Sequence, residues 1–144
     1  DVRVYEAKQA ITPELAAVLG KPSGASFHFI LNNTVMKDNR IPPRGYDRTQ
    51  WDQPGLRPVG ATYADGQYWD EAVYPVPGET TRASVVLYYQ TASAEYVDFL
   101  RRTGGVDGDV LYDLWSRSPS PPVVMAIATD PSLIVYLPIM SRDD

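Results

Sequence analysis

Prolines and glycines are the feature that most limits how this chain can fold. The 144 residues contain 13 prolines and ten glycines, spread along most of the length. Proline fixes φ and removes a backbone donor, and glycine favours turns, so long regular elements are interrupted repeatedly. Short extended segments separated by turn signals are typical of a β-sandwich. The pattern therefore predicts a mainly β fold, an immunoglobulin-like or jelly-roll-like β-sandwich.

Several segments supply the strands of this predicted sandwich. Alternating or continuous apolar residues indicate strands at DVRVYEA, ASFHFILNN, RASVVLYYQT, the VVMAIATD stretch and LIVYLPIM. RASVVLYYQT is apolar on both faces, which favours a central strand covered on both sides. Two short helices are expected between the late strands, one capped by Ser93 and one capped by Asp109. An earlier helix is predicted in TPELAAVLG, with Thr12 as its cap and Gly20 as its end.

Composition and charge narrow the classes of function. The net charge of −5 argues against general affinity for nucleic acid or anionic membranes, and no run of apolar residues is long enough to span a bilayer. The chain contains no cysteine, which excludes disulfides, cysteine zinc sites and covalent haem attachment within it. We expect one domain over 1–144. Because the sequence begins at Asp1 without methionine, we expect it to be a fragment or mature piece of a longer exported protein.

The stretch KDNRIPPRGYD, residues 37–47, is the first candidate site. Two prolines stiffen its backbone, and Arg40 and Arg44 could project from it toward an acidic partner, because the guanidinium fork suits a carboxylate. The alternative is structural: Asp38 and Asn39 would bond nearby backbone groups, and Arg40 would pair with a buried acid.

The stretch DGQYWDEAVY is the second candidate. Its aromatic residues Tyr68, Trp69 and Tyr74 could form a platform for a sugar, or they could pack into the core. Its acids Asp65, Asp70 and Glu71 could supply oxygens to calcium, although the spacing lacks the standard calcium-loop signature.

A catalytic role is not indicated by the single histidine. His28 would need a nucleophile and an orienting acid within hydrogen-bond reach, and no GxSxG motif supplies the nucleophile. A hydrolase that uses paired carboxylates stays open, because 18 acidic residues cannot be sorted into pairs from the sequence.

The order of motifs resembles a known family. VYE, KDNRIPPRGY, YADGQYWDEAVY, VVLYYQTASAEYVDFLR and LYDLWSRSPSPPVVMA follow one another as in the cysteine-free C-terminal domain appended to many bacterial exported multihaem c-type cytochromes. The resemblance covers roughly residues 2–126. It implies an exported β-sandwich module, periplasmic or at the cell surface, beside a haem-bearing region. This chain lacks a CxxCH motif, so haem would lie in an adjoining region or a partner.

These observations predict a non-catalytic module without a cofactor or metal of its own. It would pack against a multihaem cytochrome region or another assembly partner, with Arg40, Arg44, Tyr68 and Trp69 as candidate contact residues. The alternative is a carbohydrate-binding module of a secreted protein, suggested by the many aromatic residues.

Overall fold

The computed structural model describes residues 1–80, 82–117 and 122–130. The chain divides into two compact units: unit 1 is Asp1–Tyr74, and unit 2 begins at Pro75.

Unit 1 is built on a three-stranded antiparallel sheet. Its strands are β1 (Ala7–Ile11), β2 (Gly24–Ala25) and β3 (Thr34–Asp38), in the order β2-β1-β3. The register of β1 against β3 shifts between Lys8 and Gln9. Such a bulge bends a strand locally and increases its twist.

Helix α1 (Pro13–Leu19) follows β1 directly, and the sequence sets both of its ends. The Thr12 hydroxyl accepts a hydrogen bond from the Leu15 amide, and proline occupies the first turn. Gly20 closes the helix at a φ of 62° in the left-handed region, and its amide bonds to the carbonyl of Ala16. The predicted helix and its cap are confirmed.

A long proline-rich segment completes unit 1. Its one helix is the single turn α2 (Arg48–Trp51), where the Asp47 side chain accepts from the amides of Thr49 and Gln50. Val59 forms an isolated bridge with Asp38 at the end of β3. The buried apolar side chains of the unit come from the sheet, α1 and this segment: Ala10, Ile11, Ala16, Pro42, Tyr46 and Tyr63.

Unit 2 combines a β-ribbon with a helical hairpin. Strands β4 (Ala83–Tyr89) and β5 (Val123–Asp130) pair antiparallel, and α3 (Ala94–Thr103) and α4 (Gly105–Arg117) pack against each other. Ser93 caps α3 through a hydrogen bond to the Tyr96 amide, as predicted. Among the described residues of this unit, Val97 is the only buried apolar side chain larger than glycine.

Glycines let α3 and α4 approach each other closely. A β-carbon at Gly108 would overlap the backbone carbonyl of Leu100, and one at Gly104 would lie 2.7 Å from the same oxygen. Gly105 starts α4 with a φ of 57°, a conformation that side chains with a β-carbon rarely adopt.

The predicted mainly β sandwich, immunoglobulin-like or jelly-roll-like, is wrong. The described residues contain four helices and two small sheets of three and two strands. The segment from Asn39 to Arg82 contributes no strand to a ladder there. Its prolines lack the N–H that a ladder needs, so its backbone runs as loops and turns.

Several individual predictions are also wrong. DVRVYEA is not a strand, because β1 begins only at Ala7. ASFHFILNN is not a strand along its length. Its first residue, Ala25, is the last residue of the two-residue strand β2, and Phe29–Leu31 form a 3-10 turn. Helix α4 begins at Gly105, before the predicted cap Asp109. In the part of unit 2 that the structure describes, β4 pairs with β5 alone and is not a central strand. The predicted strand LIVYLPIM lies outside the described residues.

Candidate functional site

The charged loop after β3 is anchored by an ion pair. Both carboxylate oxygens of Asp38 accept from Arg40: Oδ1 from Nε at 2.8 Å and Oδ2 from the terminal nitrogen at 2.6 Å. Asp38 is only 6% exposed. Burial raises the pKa of Asp38, but hydrogen bonds from Arg40 and its charge outweigh burial and lower it overall. The structure therefore contains the pair that the structural interpretation of Arg40 predicts.

Asn39 ties the same loop to the N-terminal segment. Its side chain accepts from the Glu6 amide at 2.9 Å and donates to the Val4 carbonyl at 2.9 Å. Its own carbonyl accepts from the buried Tyr63 hydroxyl at 2.8 Å. These bonds make Asn39 a structural residue that fixes where the stiff Pro42–Pro43 backbone leaves the sheet.

A shallow cavity of about 290 Å³ lies beside this ion pair. We name it the proline groove; it is lined by Asp38, Arg40, Ile41, Pro42, Pro43, Tyr46, Trp51, Leu56 and Pro58. The Tyr46 and Trp51 rings meet edge to face there, with centroids 5.7 Å apart. A smaller cavity of about 120 Å³ shares Tyr46 and Pro58. Asp38 is the only acid of the groove and Asp52 the only acid of the smaller cavity, so neither holds the carboxylate pair of a glycosidase.

Arg44, Tyr68 and Trp69 form the second feature, which we name the aromatic surface. The Arg44 guanidinium carbon lies 5.2 Å from the centroid of the Tyr68 ring, within cation–π range. The Tyr68 and Trp69 rings are perpendicular, with centroids 5.3 Å apart. Trp69 is 51% exposed and Tyr68 is 38% exposed. Two large rings and a cation are thus presented together to solvent.

Backbone and side-chain hydrogen bonds between two loops hold this surface in place. Gly45, next to Arg44, has a φ of 80°, and the Gly66 amide donates to the carbonyl of Tyr46 at 2.8 Å. The Arg48 amide donates to Asp65 Oδ1 at 2.7 Å. The loop that carries Arg44 and the loop that carries Tyr68 are therefore joined by two hydrogen bonds.

Asp70 anchors the far side of the Tyr68 loop to the N-terminus. Its Oδ2 accepts from Arg3 at 2.7 Å and from the Tyr5 hydroxyl at 2.9 Å. Burial raises the pKa of the Tyr5 phenol, and its hydrogen bond to Asp70 raises it further. Asp70 is thus engaged in the fold and not presented to a ligand.

The structure brings three of the four predicted contact residues together. Arg44, Tyr68 and Trp69 share the aromatic surface, whereas Arg40 lines the proline groove. Tyr46 and Trp51, which line the groove, were not among the predicted contact residues. The available signal was their place at the two ends of one short segment, Tyr46 just before the α2 cap and Trp51 as the last residue of α2, close to a double proline on which aromatic rings commonly pack.

The other residues considered for chemistry do not form a site. Among the described residues, no three side chains of the metal-ligating types come together, so Asp65, Asp70 and Glu71 do not form a calcium site there. His28 precedes the 3-10 turn, and its amide donates to the Ser26 hydroxyl at 3.0 Å. No helix in the described part of the chain has the length and apolar character needed to cross a membrane.

Comparisons with protein-family models, curated proteins and solved structures give no match for this chain. The resemblance to the cytochrome-appended domain therefore stays a prediction, apart from its β-sandwich, which the structure corrects.

Proposed function

We propose that this protein is a non-catalytic module that binds another protein through the aromatic surface. The observation that carries the proposal is the exposure of Trp69 and Tyr68 beside the stacked Arg44. Tryptophan, tyrosine and arginine are the residues most enriched at the energetic centres of protein interfaces. Rings held by neighbouring loops lose little conformational entropy on binding, which favours affinity.

Arg44 sets the chemistry of the partner. Among the described residues, Arg40 is paired with Asp38, but no carboxylate lies within ion-pair distance of Arg44. An arginine that lies on an aromatic ring keeps its donors for an external carboxylate. A partner surface with an acidic group beside an apolar patch would complement Arg44 and the two exposed rings. The edge of a haem, with its propionates, is such a surface. The partner that we propose is accordingly a multihaem cytochrome region of an exported assembly, the class that the motif order suggests.

Purification of the native protein under mild conditions tests this proposal. We expect c-type haem absorbance to co-elute with the chain, and chemical cross-links to join the haem protein to the loops carrying Arg44 and Trp69. Trp69→Ala expressed in the same cells should lose the haem protein from the complex. Arg57→Ala removes another exposed arginine of unit 1 and should retain it. A native protein that carries no haem partner, in its sequence or in complex, contradicts the assignment.

A carbohydrate-binding module is the second candidate, because Trp69 is half exposed. The perpendicular rings of Tyr68 and Trp69 argue for a protein partner instead, since two sugar units of a chain stack best on rings that share a plane. Titration with polysaccharides while following tryptophan fluorescence separates the two functions. A saturable change that Trp69→Phe alters and Trp51→Phe leaves intact would favour the carbohydrate function.

A further inference from the structure

Helix α4 of unit 2 exposes an apolar stripe that the proposed function does not use. Val106, Val110 and Leu114 recur every four residues and are 79%, 53% and 60% exposed. Residues at this spacing lie on one face of a helix, and Leu111, three residues before Leu114, lies at the edge of that face. The stripe is about 12 Å long at 1.5 Å per residue.

The opposite face of α4 packs on α3, so the stripe points away from the hairpin's own contact. Gly108 meets the Leu100 backbone, and the Tyr112 ring lies 4.0 Å from the Arg101 guanidinium carbon of α3. Gly108, Tyr112 and Trp115 share this inner face by helical periodicity. The exposed leucine and valines are therefore not the inner seam of the hairpin.

Acidic residues surround the stripe. Asp109 and Asp113 lie one turn apart along one edge, and Asp107 lies on the face itself. Two arginines lie near these three aspartates: Arg117 pairs with Asp113, and Arg101 of α3 pairs with Asp109 at 3.8 Å, both at the exposed surface. Such surface pairs are weak, so they leave the local potential negative.

We propose that the α4 stripe binds a basic amphipathic helix of a protein partner. An apolar face between acids matches a helix whose apolar residues are flanked by lysine or arginine. A second copy of this chain fits poorly, because two such surfaces would bring six aspartates together against four arginines. An anionic membrane surface would be repelled by the same aspartates. The charge of the aspartates and the apolar stripe together therefore favour a basic amphipathic helix as the partner.

The test uses the full chain and a synthetic amphipathic helix of about five turns with leucines on one face and lysines beside them. NMR titration of the labelled chain should show shifts on α4 that saturate. An analogue with glutamate in place of lysine should bind at least about tenfold more weakly, as should a scrambled peptide of equal composition.

Variants locate the binding. Val110→Asp adds a charge to the exposed stripe and should weaken binding at least about tenfold. Val18→Asp places the same change at another exposed helical valine, on α1, and should leave binding unchanged. Replacing Asp109 and Asp113 together by asparagine should weaken binding severalfold and reduce its dependence on salt.

Four results would overturn the proposal: no binding of the lysine peptide, equal binding of the scrambled or glutamate peptides, shifts confined to residues outside α4, or an equal loss with Val18→Asp. Sedimentation that shows a dimer abolished by Val110→Asp would assign the stripe to a second copy. Protection of the stripe from a soluble paramagnetic probe in the free monomer would assign it to a contact within the chain.

Discussion

At the scale of single residues, polar side chains hold the loop after β3. The sequence shows which side chains these are, but it does not show which partners they bond. Asp38 and Asn39 were expected to bond nearby backbone, and Asn39 instead bonds Val4 and Glu6, more than thirty positions earlier in the chain. The acid that pairs with Arg40 is its near neighbour Asp38, two positions away. How far apart two hydrogen-bonded residues lie in the sequence depends on which strands pair. The types of the residues alone do not determine that pairing.

Arg40→Ala should destabilise unit 1. The substitution leaves the buried Asp38 carboxylate without its charged partner, which costs about 1–3 kcal/mol for a buried acceptor. We expect thermal unfolding to show a Tm lower by several degrees. Arg57→Ala breaks a pair in which both side chains are exposed and should change stability by less than about 0.5 kcal/mol. Equal Tm values for the two variants would contradict the tethering role of Arg40.

Asp38 should also make stability depend on pH in the acid range. Its pKa in the folded chain is lowered relative to the unfolded value of about 3.9, so its contribution is present above about pH 4. That contribution is lost as the pH falls through the folded pKa. Denaturant titrations of wild type and Asp38→Asn should therefore give a stability difference that shrinks on acidification. A difference independent of pH would show that the carboxylate charge contributes nothing.

At the scale of elements, both kinds of local signal succeeded in part. The cap predicted at Asp109 is wrong, and the strands predicted in RASVVLYYQT and VVMAIATD are confirmed, whereas the one predicted in ASFHFILNN is wrong. Thr12, Gly20 and Ser93 act locally, and the structure places all three at helix ends. ASFHFILNN alternates like a strand, but the Ser26 hydroxyl accepts from the His28 amide and the Asn32 side chain donates to the Ser26 carbonyl. Serine and asparagine side chains that bond nearby backbone compete with sheet pairing, and here they turn the chain.

Gly108 should be essential to the α3–α4 hairpin. A methyl group at this position overlaps the Leu100 carbonyl, so Gly108→Ala must separate the two helices despite alanine's higher helix propensity. We expect a loss of about 1–3 kcal/mol in the stability of unit 2.

Gly78→Ala is the matched control, since no atom lies within 4 Å of its added β-carbon. Circular dichroism during urea unfolding measures both variants. If Gly108→Ala proves as stable as Gly78→Ala, the close approach of the helices is not required.

At the scale of the whole molecule, the sandwich prediction failed because spacing of turn signals was taken as spacing of strands. Prolines and glycines at short intervals fit either a set of strands or a long segment of loops between few strands. The described residues between 39 and 80 form such a segment of loops. The aromatic surface follows from the same loops. Tyr68 and Trp69 could be nominated from the sequence, but their meeting with Arg44 depends on the bond from Gly66 to Tyr46.

Unit 2 should open more readily than unit 1. Six apolar side chains are buried in unit 1, whereas Val97 is the one buried in the described part of unit 2. A two-stranded ribbon is marginally stable by itself. Native-state hydrogen exchange should therefore give lower opening free energies for β4 and β5 amides than for β1 amides. Equal opening free energies across β1 and β4 would contradict this difference.

We propose above all that the chain acts by binding a protein through Arg44, Tyr68 and Trp69. The measurement that tests this most directly is the Kd of the full chain for a multihaem c-type cytochrome purified from the same cells, compared with that of Trp69→Ala. We predict saturable binding by wild type and a loss of at least about tenfold in the variant, with an unchanged Tm. Absence of binding, or equal Kd values for the two proteins, would contradict the account.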